Sequence, residues 1–197
     1  SEIPQEWRDL LLLVPQYNSI ATAGDAWFDS YAAQLAIDFF PECLTHVEGD
    51  LFRQPFTLEP WQKSIIANLM GWKRKDEKGR TVRRYRESLI YVQRKNGKTQ
   101  LGAGICLFVL FEDREHGAQI YSAAAEREQA ALLYRHARGM VEQCKELDDR
   151  AQIFKATGMR SIALVDDPAS SYKVISADAY SKHGFNLHLG IIDELHT

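Results

Sequence analysis

The stretch of sequence that decides the fold runs from residue 89 to residue 111 and reads LIYVQRKNGKTQLGAGICLFVLF. Leu89 to Val92 is a short apolar run, which predicts a buried strand. Lys98 to Phe111 has helical length and is apolar almost all round, which predicts a buried helix. The loop between them ends in GKT at 97–99, and this order of strand, loop and helix is the context that a phosphate-binding Walker A loop requires.

The predicted loop has the residue types that phosphate binding needs. Backbone N–H groups at a helix N-terminus converge on phosphate oxygens, and Gly97 lets the backbone approach them closely. Lys98 would neutralise the charge of the β- and γ-phosphates, and the Thr99 hydroxyl would ligate Mg²⁺. The full set of predicted nucleotide-binding loop residues is Gln93, Lys95, Asn96, Gly97, Lys98 and Thr99.

One position of the loop departs from the usual pattern, because Val92 stands where GxxxxGK[ST] has its first glycine. The alternative interpretation is an Asn96-Gly97 hairpin turn, since Asn-Gly is a strong hairpin signal. A hairpin predicts an alternating strand after the turn. Leu101 to Leu110 shows little alternation of apolar and polar residues, so a phosphate loop followed by a helix is favoured.

A second motif lies near the last residue, where residues 187–194 read LHLGIIDE. This run predicts a strand that ends in two acidic residues, and ligands of open α/β sheets sit at the carboxyl ends of strands. Asp193 would orient the Mg²⁺ shell, and Glu194 would polarise the attacking water as a general base. The alternative is an acidic strand end at the surface with no chemical role. With the phosphate loop upstream, the pair indicates a P-loop NTPase of the catalytic-glutamate type.

A glutamine ahead of the phosphate loop could recognise a base. Residues 56–62 read FTLEPWQ, and Gln62 can pair with an adenine edge through one donor and one acceptor. Trp61 beside it could pack near the base. The alternative is a helix that starts at Pro60 and places Trp61 in the core. Both interpretations remain open at this point.

Strands alternate with helices along most of the chain, which predicts an α/β fold with a mostly parallel sheet flanked by helices. Residues 1–45 are predicted as a helical N-terminal segment and residues 46–197 as the P-loop domain. A hydrophobic content of 45% in 197 residues suffices for such a core. Because Ile191-Ile192 reads as a core strand close to the last residue, we expect the domain to be truncated after this strand.

Other segments have a local pattern of their own. Asp25 to Phe40 predicts an amphipathic helix, because apolar residues recur at helical spacing. These residues are Trp27, Tyr31, Leu35 and Phe39. Lys73 to Arg86 is strongly basic and interleaved with acidic residues, which predicts an exposed hairpin or loop. Glu42 to Phe56 has no periodic pattern and is predicted as an irregular linker.

Composition narrows the classes of function. The formal net charge is −3, so no general basic field points to nucleic acid, and any contact with DNA must be local or shared among subunits. The three cysteines and the histidines fit no metal-ligand spacing, so the predicted Mg²⁺ site consists of Thr99 and Asp193 alone. The polar first residues show no signal peptide, and the longest apolar run is too short for a bilayer, so we expect no membrane contact.

The order of these motifs resembles the ATPase domain of tailed-phage terminase large subunits. The resemblance rests on PFTLEPWQ at 55–62, GWK at 71–73, QRKNGKT at 93–99 and IIDELH at 191–196. It implies an ATPase that uses ATP and Mg²⁺ to move double-stranded viral DNA into a procapsid. It also implies a homo-oligomeric ring, a portal and a small terminase subunit as partners, and the host cell cytoplasm as location.

The resemblance assigns roles to single residues as well. A basic residue in the family's loop acts on the γ-phosphate, and Arg94 is the matching position here, with Lys95 as its competitor. Family members tend to have Arg-Gly ahead of the Walker B strand, whereas this chain has Lys182-His183-Gly184. The family's nuclease forms a separate C-terminal domain, and we expect none within these residues.

Two other functions fit part of the pattern. A helicase or a restriction-type DNA translocase also has an upstream glutamine and an Asp-Glu pair. A nucleotide-dependent assembly module would bind ATP without turnover, and the intact Glu194 argues against it.

Overall fold

A computed structural model describes residues 2–93, 96–113, 116–124, 127–176 and 187–192. The chain forms two units, of which the first consists of Ser1–Glu42 and Phe56–Tyr91 and the second of Cys43–Pro55 and Val92–Thr197. These units do not follow the predicted division at residue 45. The limits of the P-loop domain stay a prediction, because a compact unit of the structure and a domain of a protein family need not have the same bounds.

The first unit is built from helices and a small antiparallel sheet. Its helices are α1 (Gln5–Leu11), α2 (Ser30–Cys43) and α3 (Pro60–Gly71). Its strands are β1 (Trp27–Phe28), β2 (Trp72–Lys75) and β3 (Thr81–Arg83), which lie in the order β1-β2-β3. Helices α1 and α2 fall within the predicted helical N-terminal segment. The predicted basic hairpin is confirmed, since β2 and β3 pair antiparallel.

The predicted amphipathic helix begins later than its sequence pattern indicated. It starts at Ser30, because the Asp29 carboxylate accepts a hydrogen bond from the Ala32 N–H at 3.0 Å and so caps the first turn. The residues that α2 buries are Ala33, Ala36, Ile37, Phe39 and Phe40. Tyr31 of the predicted apolar face is 77% exposed. Leu35 is 39% exposed and Trp27 lies in β1, so that face was wrong apart from Phe39.

The second unit is an α/β structure around a five-stranded sheet. Its strands are β4 (Gln119–Ala124), β5 (Ala151–Phe154), β6 (Ser161–Leu164), β7 (Ser171–Ser176) and β8 (Leu187–Ile192). Its helices are α4 (Lys98–Phe111), α5 (Arg127–Gln143) and α6 (Lys145–Asp148). The strands lie in the order β5-β6-β7-β4-β8, and α4 and α5 pack on each other and on β4 and β7.

The sheet is mixed, which corrects the prediction of a mostly parallel sheet. Strand β4 pairs parallel to β7 and to β8, whereas β6 pairs antiparallel to β5 and to β7. The connections explain the difference. Residues 155–160 join β5 to β6, and residues 165–170 join β6 to β7. Connections this short form hairpins, because a crossover between parallel strands needs about a dozen residues or more.

The prediction of a buried strand at Leu89 to Val92 was wrong. The structure assigns no strand to these residues, and the side chains of Leu89 and Tyr91 are 79% and 96% exposed. An apolar run becomes a strand only where a neighbour supplies hydrogen-bond partners, and none of the described strands pairs with this segment. The apolar pattern alone could not supply that partner.

The predicted buried helix is confirmed as α4. Every residue from Leu101 to Phe111 is buried. Gly102 lets this helix approach α5 closely, because a β-carbon there would lie 3.1 Å from Leu133 Cδ1. Burial of a large aliphatic or aromatic side chain contributes about 1.5–3 kcal/mol, so α4 is held firmly in the core. Within the described ranges, neither α4 nor any other helix has both the length and the hydrophobicity that a membrane span requires.

The predicted linker between residues 42 and 56 packs onto helix α5. The Thr45 hydroxyl donates a hydrogen bond to Gln143 Oε1 at 2.6 Å. Val47 lies against Gly139, where a β-carbon would come within 2.4 Å of Val47 Cγ1. This segment is therefore part of the packed structure of the second unit, and its sequence pattern gave no sign of these contacts.

One contact of this segment makes stability depend on pH. His136 is 8% exposed, its Nε2 lies 3.6 Å from Glu48 Oε1, and within the described residues its Nδ1 has no hydrogen-bond partner. Burial lowers the pKa of His136, the Glu48 carboxylate opposes this shift, and the charge of Arg135 adds to it. In the unfolded chain His136 has its ordinary pKa of about 6.5, so the unfolded chain takes up this proton at a higher pH than the folded chain does. Stability contributed by the neutral ring is present above about pH 6.5 and is lost as the pH falls below it.

We expect the thermal unfolding midpoint of the wild-type protein to fall more between about pH 7 and pH 5 than that of a His136→Gln variant, which has no proton to take up. His116→Gln is the matched control, because the His116 side chain is 99% exposed. The prediction would fail if wild type and His136→Gln lost the same number of degrees over this range.

Candidate functional site

The predicted phosphate loop ends in a left-handed glycine at the start of α4. Gly97 has φ +71° and ψ 17° and is the residue directly before the helix. A left-handed conformation costs a residue with a β-carbon roughly 1–2 kcal/mol, which explains why glycine stands here. The N–H groups of the first turn point out of the helix N-terminus, where phosphate oxygens bind in proteins.

The loop residues on either side of this glycine form one turn. Lys98 and Thr99 are the first residues of α4 and are partly buried, whereas Asn96 and Gly97 are exposed. Asn96 Nδ2 donates to Gln93 O at 3.4 Å, which spans the loop ahead of the glycine. The described part of the loop is therefore an exposed turn on the N-terminus of a buried helix.

Helix α4 and strand β8 run antiparallel, as contacts at both ends of the helix show. Near the helix N-terminus, a β-carbon on Gly102 would lie 3.8 Å from Ile191 Cδ1. Just after the helix, Asp113 Oδ2 is hydrogen-bonded to His188 Nε2 at 2.7 Å. The N-terminus of α4 and the carboxyl end of β8 therefore lie at the same edge of the sheet. Strand β8 ends at Ile192, the residue before the predicted acidic pair.

Sequence reasoning missed the hydrogen bond between Asp113 and His188. Both side chains are largely buried, and the residues are 75 positions apart, so no local pattern could have indicated the contact. The bond fixes the start of β8 against the end of α4. Because strand and helix are stiff, it also helps to fix the opposite ends, where the predicted site residues begin.

The first turn of α4 has a further support that the sequence did not indicate. Gln100 directly follows Thr99, and its Oε1 lies 3.1 Å from His46 Nδ1. His46 comes from the segment that was predicted as a linker. This contact holds the first turn of α4 from the side, next to the predicted phosphate-binding residues.

Several predicted site residues lie outside the described ranges. These residues are Arg94, Lys95, Asp193 and Glu194, together with Lys182 of the segment ahead of β8. Arg94 and Lys95 stay predicted cations of the loop, Asp193 a predicted Mg²⁺ ligand and Glu194 a predicted general base. Lys182 stays the residue that stands where the family tends to have arginine. What the structure describes is the frame around them, namely the turn at Gly97 and the end of β8 at Ile192.

The predicted adenine-binding residues belong to the first unit, at the start of α3. Pro60 occupies the first turn, and Gln62 Oε1 accepts a hydrogen bond from the Glu59 N–H at 2.9 Å. Glu59 and Gln62 form a reciprocal capping box, and Gln62 is buried. The alternative of a capped helix start is therefore present in the structure, with Trp61 only partly buried. Recognition of adenine by Gln62 and Trp61 stays a prediction.

Comparisons with known proteins point to one family. The sequence model of the family described as terminase large subunit, ATPase domain, matches residues 60–197. The large terminase subunit of Enterobacteria phage HK97 is 35% identical over 149 residues, which is 75% of this chain and 27% of that protein. The crystal structure of the HK97 bacteriophage large terminase matches with a TM-score of 0.64 at 29% identity, covering 82% of this chain and 31% of that one.

A further structural match is more distant. The ATPase domain of the Thermus phage P74-26 large terminase has a TM-score of 0.39 at 20% identity, over 50% of this chain and 44% of that one. This chain spans 27% of the HK97 protein sequence and 31% of the HK97 structure. It therefore corresponds to one part of those longer proteins.

Proposed function

This chain belongs to the terminase large subunit ATPase domain family, and from this premise we propose that it hydrolyses ATP to drive double-stranded viral DNA into a procapsid. The observation that carries the proposal is the left-handed Gly97 at the N-terminus of a buried α4, at the same edge of the sheet as the carboxyl end of β8. A phosphate-binding turn and an acidic strand end are the two parts that such an ATPase needs side by side.

The nucleotide phosphates bind at the N-terminus of α4. The N–H groups that follow Gly97 donate to phosphate oxygens, and Lys98 neutralises charge on the β- and γ-phosphates. Because Lys98 and Thr99 already lie in the first turn of a buried helix, little rearrangement of the backbone is needed when the nucleotide binds.

The donor set at this turn fits Mg²⁺. The Thr99 hydroxyl and the Asp193 carboxylate supply oxygen atoms, which Mg²⁺ prefers as ligands. Thr99 lies in the first turn of α4, and Asp193 follows the strand whose carboxyl end is at the same edge. When bound, the ion neutralises negative charge on the phosphate oxygens.

Glu194 is the general base of the reaction. It takes up a proton from the attacking water as the water oxygen bonds to the γ-phosphorus. The bond from the γ-phosphorus to the bridging oxygen breaks, and ADP and phosphate leave. Arg94 stabilises the charge on the γ-phosphoryl oxygens as this happens, because its planar guanidinium can offer two parallel donors.

The active assembly is a homo-oligomeric ring that docks on the portal of a procapsid in the host cell cytoplasm, with the small terminase subunit as a further partner. In a ring, a cation from one subunit can complete the site of its neighbour. Lys182 stands where the family tends to have arginine, and a lysine is a point charge that matches a phosphoryl group less well. Family membership favours this packaging role over a helicase, a restriction-type translocase or an assembly module without turnover.

The role of Arg94 is tested against that of its neighbour Lys95. Arg94→Ala should lower ATP turnover by roughly 10²- to 10³-fold, the usual cost of losing one donor to transition-state charge, while ATP affinity changes little. Lys95→Ala should be milder on both. Phosphate release and nucleotide affinity are measured for wild type and both variants with Mg²⁺, duplex DNA and procapsids present.

Absence of phosphate release by the wild-type protein under these conditions would contradict the proposed function. Loss of turnover in Lys95→Ala with normal turnover in Arg94→Ala would instead exchange the two assignments and leave the function intact.

A further inference from the structure

A pocket lined by basic side chains lies between helix α5 and the hairpin formed by β5 and β6. Its volume is about 190 Å³. The residues that line it are Ala131, Tyr134, Arg135, Arg138, Lys155 and Arg160. The proposed chemistry of ATP hydrolysis uses none of them. This site is called the basic pocket below.

Among the described residues, the lining of the basic pocket has four cationic side chains and no acidic one. Arg138 Nε lies 3.4 Å from Glu142 Oε2, and Lys155 Nζ lies 2.7 Å from Glu142 Oε1, so these cations share a single carboxylate. Arg135 and Arg160 add two further cations to the lining. A ligand with several negative charges would therefore be attracted to this surface.

Tyr134, which lines the basic pocket together with the cations, links its two walls. The Tyr134 hydroxyl donates a hydrogen bond to Phe154 O at 2.7 Å and so ties α5 to the end of β5. Burial raises the pKa of Tyr134, and the nearby charges of Arg138 and Arg160 act in the opposite direction. Arg138 from the helix and Arg160 from the hairpin both line the pocket together with Tyr134. Their guanidinium groups are planar donors of the kind that fits phosphate.

The position of the basic pocket relates it to the nucleotide site. Val174 donates its N–H to Arg160 O at 3.2 Å, and Val174 lies two residues before the carboxyl end of β7. Since β7, β4 and β8 are parallel, the tip of the β5–β6 hairpin lies toward the edge of the sheet where β8 ends. A ligand held in the basic pocket would sit on the same side of the second unit as the proposed ATP site.

We propose that the basic pocket binds the phosphate backbone of duplex DNA, an inference that rests on the proposed function because it deepens the packaging role. Arg135 and Lys155 are exposed and reach a passing duplex, while Arg138 and Arg160 are partly buried and form the floor. Contacts to phosphate carry no sequence information, which suits a protein that must move any sequence. A packaging motor needs contacts of this kind, because it has to bind the duplex whatever its base sequence is.

The lining favours backbone phosphates over a second nucleotide. A nucleotide site would need an aromatic or apolar face for the base, and the one aromatic residue in the lining is Tyr134. Its ring is buried and packs at 6.2 Å from the Tyr172 ring, so it offers no open face for stacking. The exposed side chains of the lining are cationic, namely Arg135 and Lys155.

The test is the salt dependence of duplex binding by the intact protein, measured by anisotropy of a fluorescent duplex without ATP. Each lost phosphate contact reduces the steepness of log affinity against log salt concentration by about 0.9. An Arg135→Gln/Arg160→Gln double variant should therefore have a slope that is shallower by about 2, and its affinity for the duplex should fall roughly 10-fold. Glu142→Gln should act in the opposite direction and raise affinity severalfold, because it releases Arg138 and Lys155 from their shared carboxylate. Lys145→Gln is the control, since Lys145 at the start of α6 pairs with Asp149, just after that helix, and neither residue lines the basic pocket.

Thermal unfolding of each variant, and ATP affinity measured separately, complete the design. If the double variant does not fold, Lys155→Gln replaces it and should lose about half as much slope. An unchanged slope in the folded variants, or a loss in ATP affinity in place of duplex affinity, would overturn the basic pocket as a DNA site. Because turnover is not the readout, these results leave the proposed ATPase function to its own test.

Discussion

The Glu194→Gln variant is expected to bind ATP with nearly wild-type affinity and to turn it over roughly 10²- to 10⁴-fold more slowly, the usual range for loss of a positioned general base. The amide keeps the shape of the side chain but cannot take up the proton of the attacking water. Affinity is measured by titration with ATP and Mg²⁺, and turnover by phosphate release under single-turnover conditions, which separate binding from chemistry.

Two further variants make this result specific. Asp193→Asn should weaken Mg²⁺-dependent nucleotide binding as well as turnover, because it removes charge from the proposed metal ligand. Glu146→Gln, on the exposed side of α6, should change neither quantity. Wild-type turnover in Glu194→Gln would show that another group accepts the proton, and the assignment of the acidic pair would have to be abandoned.

The Lys98→Gln variant should lose both binding and catalysis. A hydrogen bond to a charged group contributes about 1.5–3 kcal/mol, so ATP affinity should fall roughly 10- to 100-fold. The same cation stabilises charge that grows on the γ-phosphate during transfer, so turnover at saturating ATP should fall by a further factor of about 10² to 10³. Together these losses make it the largest effect expected from one substitution in this chain.

The controls for Lys98→Gln address its position at the start of α4. Lys98 is partly buried, so thermal unfolding is recorded to show that the helix still forms. Lys145→Gln removes a lysine at the start of α6, outside the phosphate loop, and should leave ATP affinity unchanged. A folded Lys98→Gln protein with wild-type ATP affinity would mean that the phosphates bind elsewhere.

The parts of the fold that could be predicted are those that depend on residues close together in the sequence. Helix α4 was predictable because its residues are apolar on all sides, and a helix of that kind has to be buried. The turn before it was predictable because Gly97 suits a left-handed conformation that few residues adopt. Helix α3 began at Pro60 as predicted, since proline at the first turn fits the fixed backbone angle of a helix start.

The parts that could not be predicted depend on distant partners. Leu89 to Val92 has the composition of a strand but no described strand beside it, so its composition was misleading. The mixed sheet is an exception, because the two short connections that produce it are a local signal for hairpins. Helix α2 buries Ala33, Ala36 and Ile37, whereas Tyr31 and Leu35 of the predicted face are exposed.

The candidate site shows the same division. Sequence alone indicated the chemistry of the loop and of the acidic pair, because those roles depend on residue type and order. It could not indicate the contacts that hold the frame, such as His188 with Asp113 or His46 with Gln100, since each joins residues far apart in the chain. Motifs therefore indicate candidate reacting groups, whereas the contacts that position those groups are seen only in the structure.

The most direct test of the central claim is DNA packaging by the intact protein with procapsids, portal and small subunit, read as duplex DNA protected from added nuclease. The account predicts protection with the wild-type protein and ATP, none without ATP, and none with Glu194→Gln even though that variant still binds ATP. Protection by Glu194→Gln at the wild-type level, or by the wild-type protein without ATP, would contradict it.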